Sequence, residues 1–312
     1  MKNMKNMKNI LITGGAGYKG VLLTEELLKL GHKVTILDNF MYGYESVLHL
    51  ISNPNLIINK LDIRKLKESD VKGYDVVFHL AGISGMPACN NNPNAAESIN
   101  LTSTKILVEL LSEDQLLINA STTSMYGYSE TICDEESPIV PVSIYGKTKY
   151  EAEKLTHKRE NSISLRFATV FGVSPRMRND LMVNDFTYKA IHDRSIILFA
   201  GDTKRTFIHI KDAIRAYIFA MDNADIMKGN VYNVGDEGMN LSKNDISKNI
   251  AQYVKYELIN SSLPDLDKRD FAICFKKIKK LGYKTEYDLN SGILDLIKLY
   301  KFYVQYLPYK II

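Results

Sequence analysis

The chain has 312 residues, 45% of them hydrophobic and 24% charged; these are ordinary values for a globular protein of about one to two domains and exclude a disordered or fibrous chain. Its 40 basic and 36 acidic residues leave a formal charge of +4, too balanced to predict nucleic acid or a membrane surface as a partner. No apolar run approaches the roughly 18 residues of a membrane span, and three scattered cysteines, Cys89, Cys133 and Cys274, predict neither a disulfide nor a metal centre and fit a reducing cytoplasm.

The chain starts with Met-Lys-Asn three times over, and only Ile10-Leu11-Ile12 follows before Thr13-Gly14-Gly15. That leaves no apolar core for a signal peptide and predicts a short disordered tail. A strand is predicted over 10–13, running into glycines. Helical spacing over 21–30 ends at Gly31, a C-cap residue. Strands follow over 34–37 and 56–58. The segment 76–81 contains Val76-Val77-Phe78-His79-Leu80-Ala81 and reads as a strand buried on both faces. A helix over 95–111, a strand over 116–120, a helix over 145–157 and a strand over 163–167 continue the alternation. Strands separated by helices need right-handed crossovers, which predicts an α/β doubly wound parallel sheet. After Gly172 the pattern loosens, with a helix over 212–221, a strand over 231–234 and a helical, basic end. The expectation is a dinucleotide-binding domain over 1–172, with returns near 201–235, and a smaller lobe made mainly of 173–312.

Gly14, Gly17 and Gly20 are spaced G-x-x-G-x-x-G where the first strand meets the first helix. Such a turn lets backbone N–H groups approach a pyrophosphate at a helix N-terminus. Asp38 ends the second strand, near the offset of a ribose-binding acid. Its charge repels a 2′-phosphate, and Asn39 and Phe40 bring no arginine to welcome one, so NAD is expected over NADP. Asp62-Ile63, after the third strand, is placed to contact adenine. Lys19 is odd, because an apolar residue would pack better there. It either snorkels or reaches toward phosphate, and the sequence leaves both open.

Tyr145 and Lys149 form Y-x-x-x-K, which puts both on one helix face. A cation beside a phenol lowers its pKa and makes tyrosinate accessible as a base. Tyr150 and Lys154 make a second match. The first is preferred because it opens its helix, after Pro141-Val142-Ser143-Ile144, where the side chain can face a cofactor cleft. His79, on a buried strand, reads as a satisfied core histidine.

The glycine motif, Asp38, His79-Leu80-Ala81-Gly82, Ser121-Thr122-Thr123-Ser124-Met125-Tyr126-Gly127 and Tyr145-x-x-x-Lys149 together resemble the extended short-chain dehydrogenase/reductase family, and within it the nucleotide-sugar epimerase/dehydratase branch. The resemblance implies a Rossmann-type sheet with a C-terminal substrate lobe, NAD as cofactor, a nucleotide-diphosphate sugar as substrate and a homodimer. It implies Tyr145 as the base, Lys149 as the residue that lowers its pKa and holds the nicotinamide ribose, and Thr122 on the sugar C4 oxygen. Cofactor contacts are implied for Gly14, Gly17, Tyr18, Gly20, Asp38, Asn39, Asp62, Ile63, Leu80, Ala81, Asn100 and Lys149. Substrate contacts are implied for Ser84, Thr123, Ser124, Thr169 and Asn184, with Arg205 and Arg269 clamping the diphosphate. Lysines 276, 277, 279 and 280 are expected on a solvated face.

Two departures narrow the chemistry. Dehydratases of the family carry Asp-Glu directly after the catalytic threonine, where this chain has Thr123 and Ser124. Neither can replace a carboxylic acid/base pair near neutral pH. A 4,6-dehydratase is disfavoured, and so is a decarboxylase, which uses a glutamate there. Thr169 stands where many epimerases have asparagine, and Ser174-Pro175-Arg176-Met177-Arg178 resembles a bacterial subset that includes oxidases of nucleotide-activated heptoses. The expectation is a cytoplasmic 4-epimerase of surface-polysaccharide sugar synthesis, with a net 4-dehydrogenase as the alternative. The intact Tyr145 and Lys149 argue against a non-catalytic NAD sensor.

Overall fold

The computed structural model describes residues 7–304 apart from 266 and 268; most of the Met-Lys-Asn tail therefore lies outside the described residues. In chain order the strands are β1 (Asn9–Thr13), β2 (Lys33–Asp38), β3 (Leu56–Lys60), β4 (Val76–His79), β5 (Leu116–Thr122), β6 (Tyr128–Cys133), β7 (Ser162–Phe167), β8 (Thr169–Phe171), β9 (Ser195–Phe199), β10 (Lys204–His209), β11 (Asn230–Val234), β12 (Asn240–Ser242), β13 (Glu257–Ser261) and β14 (Asp270–Ile273). Seven form one sheet in the order β11-β7-β5-β4-β1-β2-β3, every pair parallel. The chain runs outward from β1 to β3 and then returns to the other side of β1. That reversal opens a crevice at the carboxyl ends of β1 and β4, where ligands of such sheets bind.

Successive side chains of a strand go to opposite faces, and β1 shows the result. Ile10 and Ile12 join a core with Leu23 and Leu27 of helix Gly20–Lys29 and Ile214 and Tyr217 of helix Ile210–Asp222. Leu11 joins the opposite core with Val77, Leu117 and Leu107. Both faces of the sheet are covered, which is why β4 and β5 are buried throughout. A second core, with Phe171, Phe186, Phe207 and Leu296, lies among helices Met182–His192, Lys243–Ala251 and Leu289–Tyr300. β8, β10 and β12 make a small sheet, and β6 pairs with β14 and β9 with β13. β11 brings residues 230–234 back to the large sheet beside β7.

The helix expected over 95–111 is broken: Pro93–Glu97 and Ser103–Leu110 flank a π-helical turn at Ser98–Thr102. The lysine face is solvated, with Lys276 and Lys280 exposed, and Lys279 bonds Asp236 at 2.8 Å and also pairs with Glu237. Among the described residues no helix is long and apolar enough to cross a membrane.

Candidate active site

The glycine turn is shaped by sterics. Gly14 has φ of +73°, and a Cβ there would stand 2.7 Å from Ala81 N. A Cβ on Gly20 would come within 2.2 Å of Gly14 O. Gly17 N closes the turn onto Gly14 O at 3.1 Å. With no side chains in the way, the N-terminus of helix Gly20–Lys29 is delivered to the crevice beside half-buried Leu80 and Ala81. Asp38 braces the turn: Oδ2 accepts from Ala16 N at 3.0 Å and Oδ1 from Phe40 N at 2.9 Å. Burial raises its pKa, against the lowering by those N–H groups and the charge of Arg176. A turn that no Cβ can enter, a helix N-terminus and a carboxylate at the end of β2 fit the pyrophosphate and ribose of a dinucleotide.

Several residues expected at the cofactor also make bonds within the protein. The Tyr18 hydroxyl donates to Gly172 O at 2.6 Å and accepts from Asn184 Nδ2 at 3.2 Å, so its ring is a strut to the second lobe. The Asn39 side chain accepts from Met41 N at 3.1 Å. Asp62 caps a short turn and pairs with Arg64 at 2.5 Å, and Ile63 packs in the core. Asn100 is 1% exposed. Its Oδ1 accepts from Ile83 N at 2.8 Å, and its Nδ2 donates to Ile83 O at 2.9 Å and Thr148 Oγ1 at 3.3 Å. The π-helical turn aims it inward, where it ties the loop after β4 to the helix of Tyr145.

That helix, Ile144–Thr156, is capped by Ser143, whose Oγ accepts from Gly146 N at 3.1 Å. Tyr145 falls in its first turn and packs against Ile83, Ala88 and Cys89. Lys149 lies one turn on and is 6% exposed. Burial lowers its amine to about 8, with the charges of Glu153 and Cys89 pulling the other way. The alternative pair is at the surface: the Lys154 side chain is 51% exposed and bound to Glu151 at 2.6 Å. A Cβ on Gly146 would stand 3.1 Å from Ser124 O, so the helix start is seated on the segment that follows Thr122. The helix that carries Tyr145 and Lys149 therefore starts beside the carboxyl end of β5, where Thr122 lies. Thr122 Oγ1 accepts from Ser124 N at 3.1 Å. His79 is held between Thr13 and Thr104, each at 2.8 Å, and has no free ring nitrogen.

On the substrate side Ser84 and Thr169 are half-buried. Thr123 is 2% exposed and donates to Phe167 O at 3.2 Å, so it locks β5 to β7 and does not offer its hydroxyl to a ligand. Asn184 is likewise committed, accepting from Gly172 N at 3.0 Å and donating to Tyr18 and Arg178 O. Arg205 is 2% exposed and pairs with Asp267 at 3.2 Å, beneath the loop that carries Arg269. Arg269 grips Asp267 through Nε and Nη2 at 2.8 and 2.6 Å and reaches Ser124 Oγ with Nη1 at 2.7 Å. Burial raises the Asp267 pKa, but the hydrogen bond and charge of Arg269 and the charge of Arg205 outweigh it and hold the carboxyl well below its usual range.

Two arginines that spacing did not single out as contacts lie here, with Lys19, whose role the sequence left open. Arg176 stacks on Tyr42 at 4.0 Å and puts positive charge near Asp38. Arg178 pairs with Asp180 at 2.6 Å, within reach of the charges of Tyr145 and Tyr18. Lys19 turns inward, its amine 4.0 Å from the centroid of Phe167. Long-range folding brings the two arginines in, and only the glycine motif pointed to the lysine.

A family model described as the NAD dependent epimerase/dehydratase family matches residues 10–235. The chain is 32% identical over 246 residues to the uncharacterized UDP-glucose epimerase YtcB of Bacillus subtilis, across 72% of this chain and 76% of that one. It is 30% identical over 233 residues to UDP-glucuronic acid decarboxylase 1 of Xenopus tropicalis, across 70% of this chain and 55% of that one. It also resembles the crystal structure of UDP-glucuronic acid 4-epimerase from Bacillus cereus in complex with UDP-glucuronic acid and NAD, at 26% identity and a TM-score of 0.82, covering 94% of this chain and 99% of that one.

Proposed function

The chain belongs to the NAD-dependent epimerase/dehydratase family, and we propose that it is an NAD-dependent 4-epimerase of a UDP-sugar. The observation that carries the reading is the pairing of Tyr145 and Lys149 on one helix turn at the strand end of Thr122, with no acid or base at positions 123 and 124. A bound NAD would supply the acceptor for the C4 hydrogen and return it to the opposite face. The protein's own part is proton handling and orientation. Thr122 hydrogen-bonds the C4 oxygen, Tyr145 takes its proton, and Lys149, one helical turn on, holds the nicotinamide ribose. Gly14, Gly17 and Gly20 admit the pyrophosphate and Asp38 the adenosine ribose. Arg269 stands where it can bind the substrate's diphosphate, bidentate as guanidinium groups do.

Elimination of water needs a proton donor to the leaving hydroxyl and a base at C5. Thr123 is committed to Phe167 O and Ser124 to Arg269, and neither ionises near neutral pH. A second reading, release of the 4-ketone as a net dehydrogenase, is motivated by one observation, the inward-turned cation Lys19 beside Phe167. Incubation with a panel of UDP-hexoses and UDP-hexuronates, followed by mass spectrometry and NMR, tests the proposal. Unchanged mass with inverted C4 supports it. Loss of two hydrogens supports the second reading, and loss of water overturns both.

A further inference from the structure

Lys19 occupies a place where an apolar side chain would pack without cost. It belongs to the glycine turn, yet its side chain runs inward to two core rings. Its amine stands 4.0 Å from the ring centroid of Phe167 and 5.3 Å from that of Tyr217. Phe167 is the residue that β7 places opposite Thr122 of β5, so the amine lies beside the strand end that carries Thr122. The charges of Lys149 and Arg178 reach it. Among the described residues neither Lys19 nor Lys149 has a carboxylate in ion-pair contact. Glu153 is held by Arg166 and Ser121, and Asp180 by Arg178. Two aromatic faces compensate a cation only in part, and an unpaired buried ammonium is costly. Burial, then Lys149 and Arg178, hold the Lys19 amine down to about 7.

We propose that Lys19 is a second cation, beside Lys149, at the end of the cofactor cleft where hydrogen is exchanged, and that it favours the reduced dinucleotide over the oxidised one. The inference rests on the NAD reading above. The physical reason is charge. The oxidised nicotinamide ring carries a positive charge that the reduced ring lacks, while the pyrophosphate is equally negative in both. A cation near the ring discriminates between the two forms, and a cation near the pyrophosphate does not.

Titration of the cofactor-stripped protein with NAD+ and with NADH at pH 6.5, by calorimetry, separates these cases. Lys19→Met keeps an unbranched side chain, one heavy atom shorter, and removes its charge. It is expected to lower the ratio of Kd for NAD+ to Kd for NADH by about tenfold or more. Lys19→Arg is expected to keep the ratio. Lys19→Ile is the second charge-removing variant if the methionine form does not fold, with melting temperatures as the control. Equal weakening of both affinities would make Lys19 a phosphate-binding residue and overturn the proposal. Unchanged affinities would make it a packing residue and overturn it as well. A wild-type protein that binds neither dinucleotide sinks the NAD reading itself, which distinguishes that failure from the failure of this one.

Discussion

Arg269 donates to Ser124 Oγ at 2.7 Å across 145 residues of chain, joining a loop of the second lobe to the strand end that carries Thr122. The same guanidinium is bidentate on Asp267. A substrate diphosphate must therefore compete with Asp267 for it. Charge-assisted hydrogen bonds of this type are worth about 1.5–3 kcal/mol, so Arg269→Ala is expected to raise KM for the UDP-sugar about ten- to a hundredfold. NAD affinity should stay unchanged. A lower melting temperature with the wild-type KM would show that Arg269 only holds the loop.

Tyr145→Phe keeps the ring that packs on Ile83 and Cys89 and removes the proton acceptor. Turnover is expected to fall by about 10²–10⁴-fold, as when a positioned base is lost, while calorimetry shows NAD binding intact. Tyr150→Phe, beside solvent-exposed Lys154, is expected to stay near wild type. The opposite ranking would move the base to the second Y-x-x-x-K.

The sheet was legible because its strands are short apolar runs separated by helical spacing, and the glycine turn because only glycine fits at Gly14 and Gly20. Tyr145 and Lys149 were legible because four residues make one helical turn. The rest depends on contacts far apart in sequence. Nothing local distinguishes an asparagine that meets a ligand from Asn100 or Asn184, whose amides are consumed by Ile83 and by Gly172. Nor does the Arg205 segment show that Asp267 will be folded onto it. The break in the helix over 95–111 left no periodic trace, since a π-helical turn inserts one residue without changing the apolar composition.

Asp38→Ala removes a carboxylate placed for the ribose hydroxyls and its repulsion of a 2′-phosphate. The fold also brings Arg176 to this neighbourhood, where its charge bears on Asp38. The variant is expected to lose NAD affinity and gain NADP affinity, narrowing the preference by about tenfold or more. Tighter NADP binding by the wild-type protein would overturn the assignment of Asp38.

Stability should fall with acid in a defined window. Burial, then the charge of Lys149, hold His79 at about 3 against a usual 6.5, and burial and Lys211 hold His209 at about 4. Below pH 6.5 the unfolded chain binds protons that these two buried histidines refuse, so their contribution to stability is complete above that pH and is lost as pH falls toward the lower values. Each group contributes about 1.4 kcal/mol per pH unit within its window. Urea midpoints between pH 6.5 and 4.5 should therefore slope less steeply for His79→Asn than for wild type. Parallel slopes would mean that His79 takes up its proton in the folded state.

The net reaction is decided by where the C4 hydrogen goes. An epimerase must retain its reduced cofactor while the ketone turns over, so the cofactor should purify with the protein and turnover should need no added NAD. In a single-turnover experiment with a UDP-sugar deuterated at C4, the label is expected in the C4-inverted sugar, with none left on the dinucleotide. Label stranded on the dinucleotide beside a free 4-keto sugar would make the enzyme a net dehydrogenase; a cation at Lys19, by favouring the reduced dinucleotide, would lengthen the life of the ketone from which either fate follows. The two influences can be separated in one comparison. If Lys19→Met shortens the lifetime of the ketone and raises the yield of inverted sugar per turnover, the lysine sets the balance between the two fates while Thr122, Tyr145 and Lys149 perform the chemistry common to both.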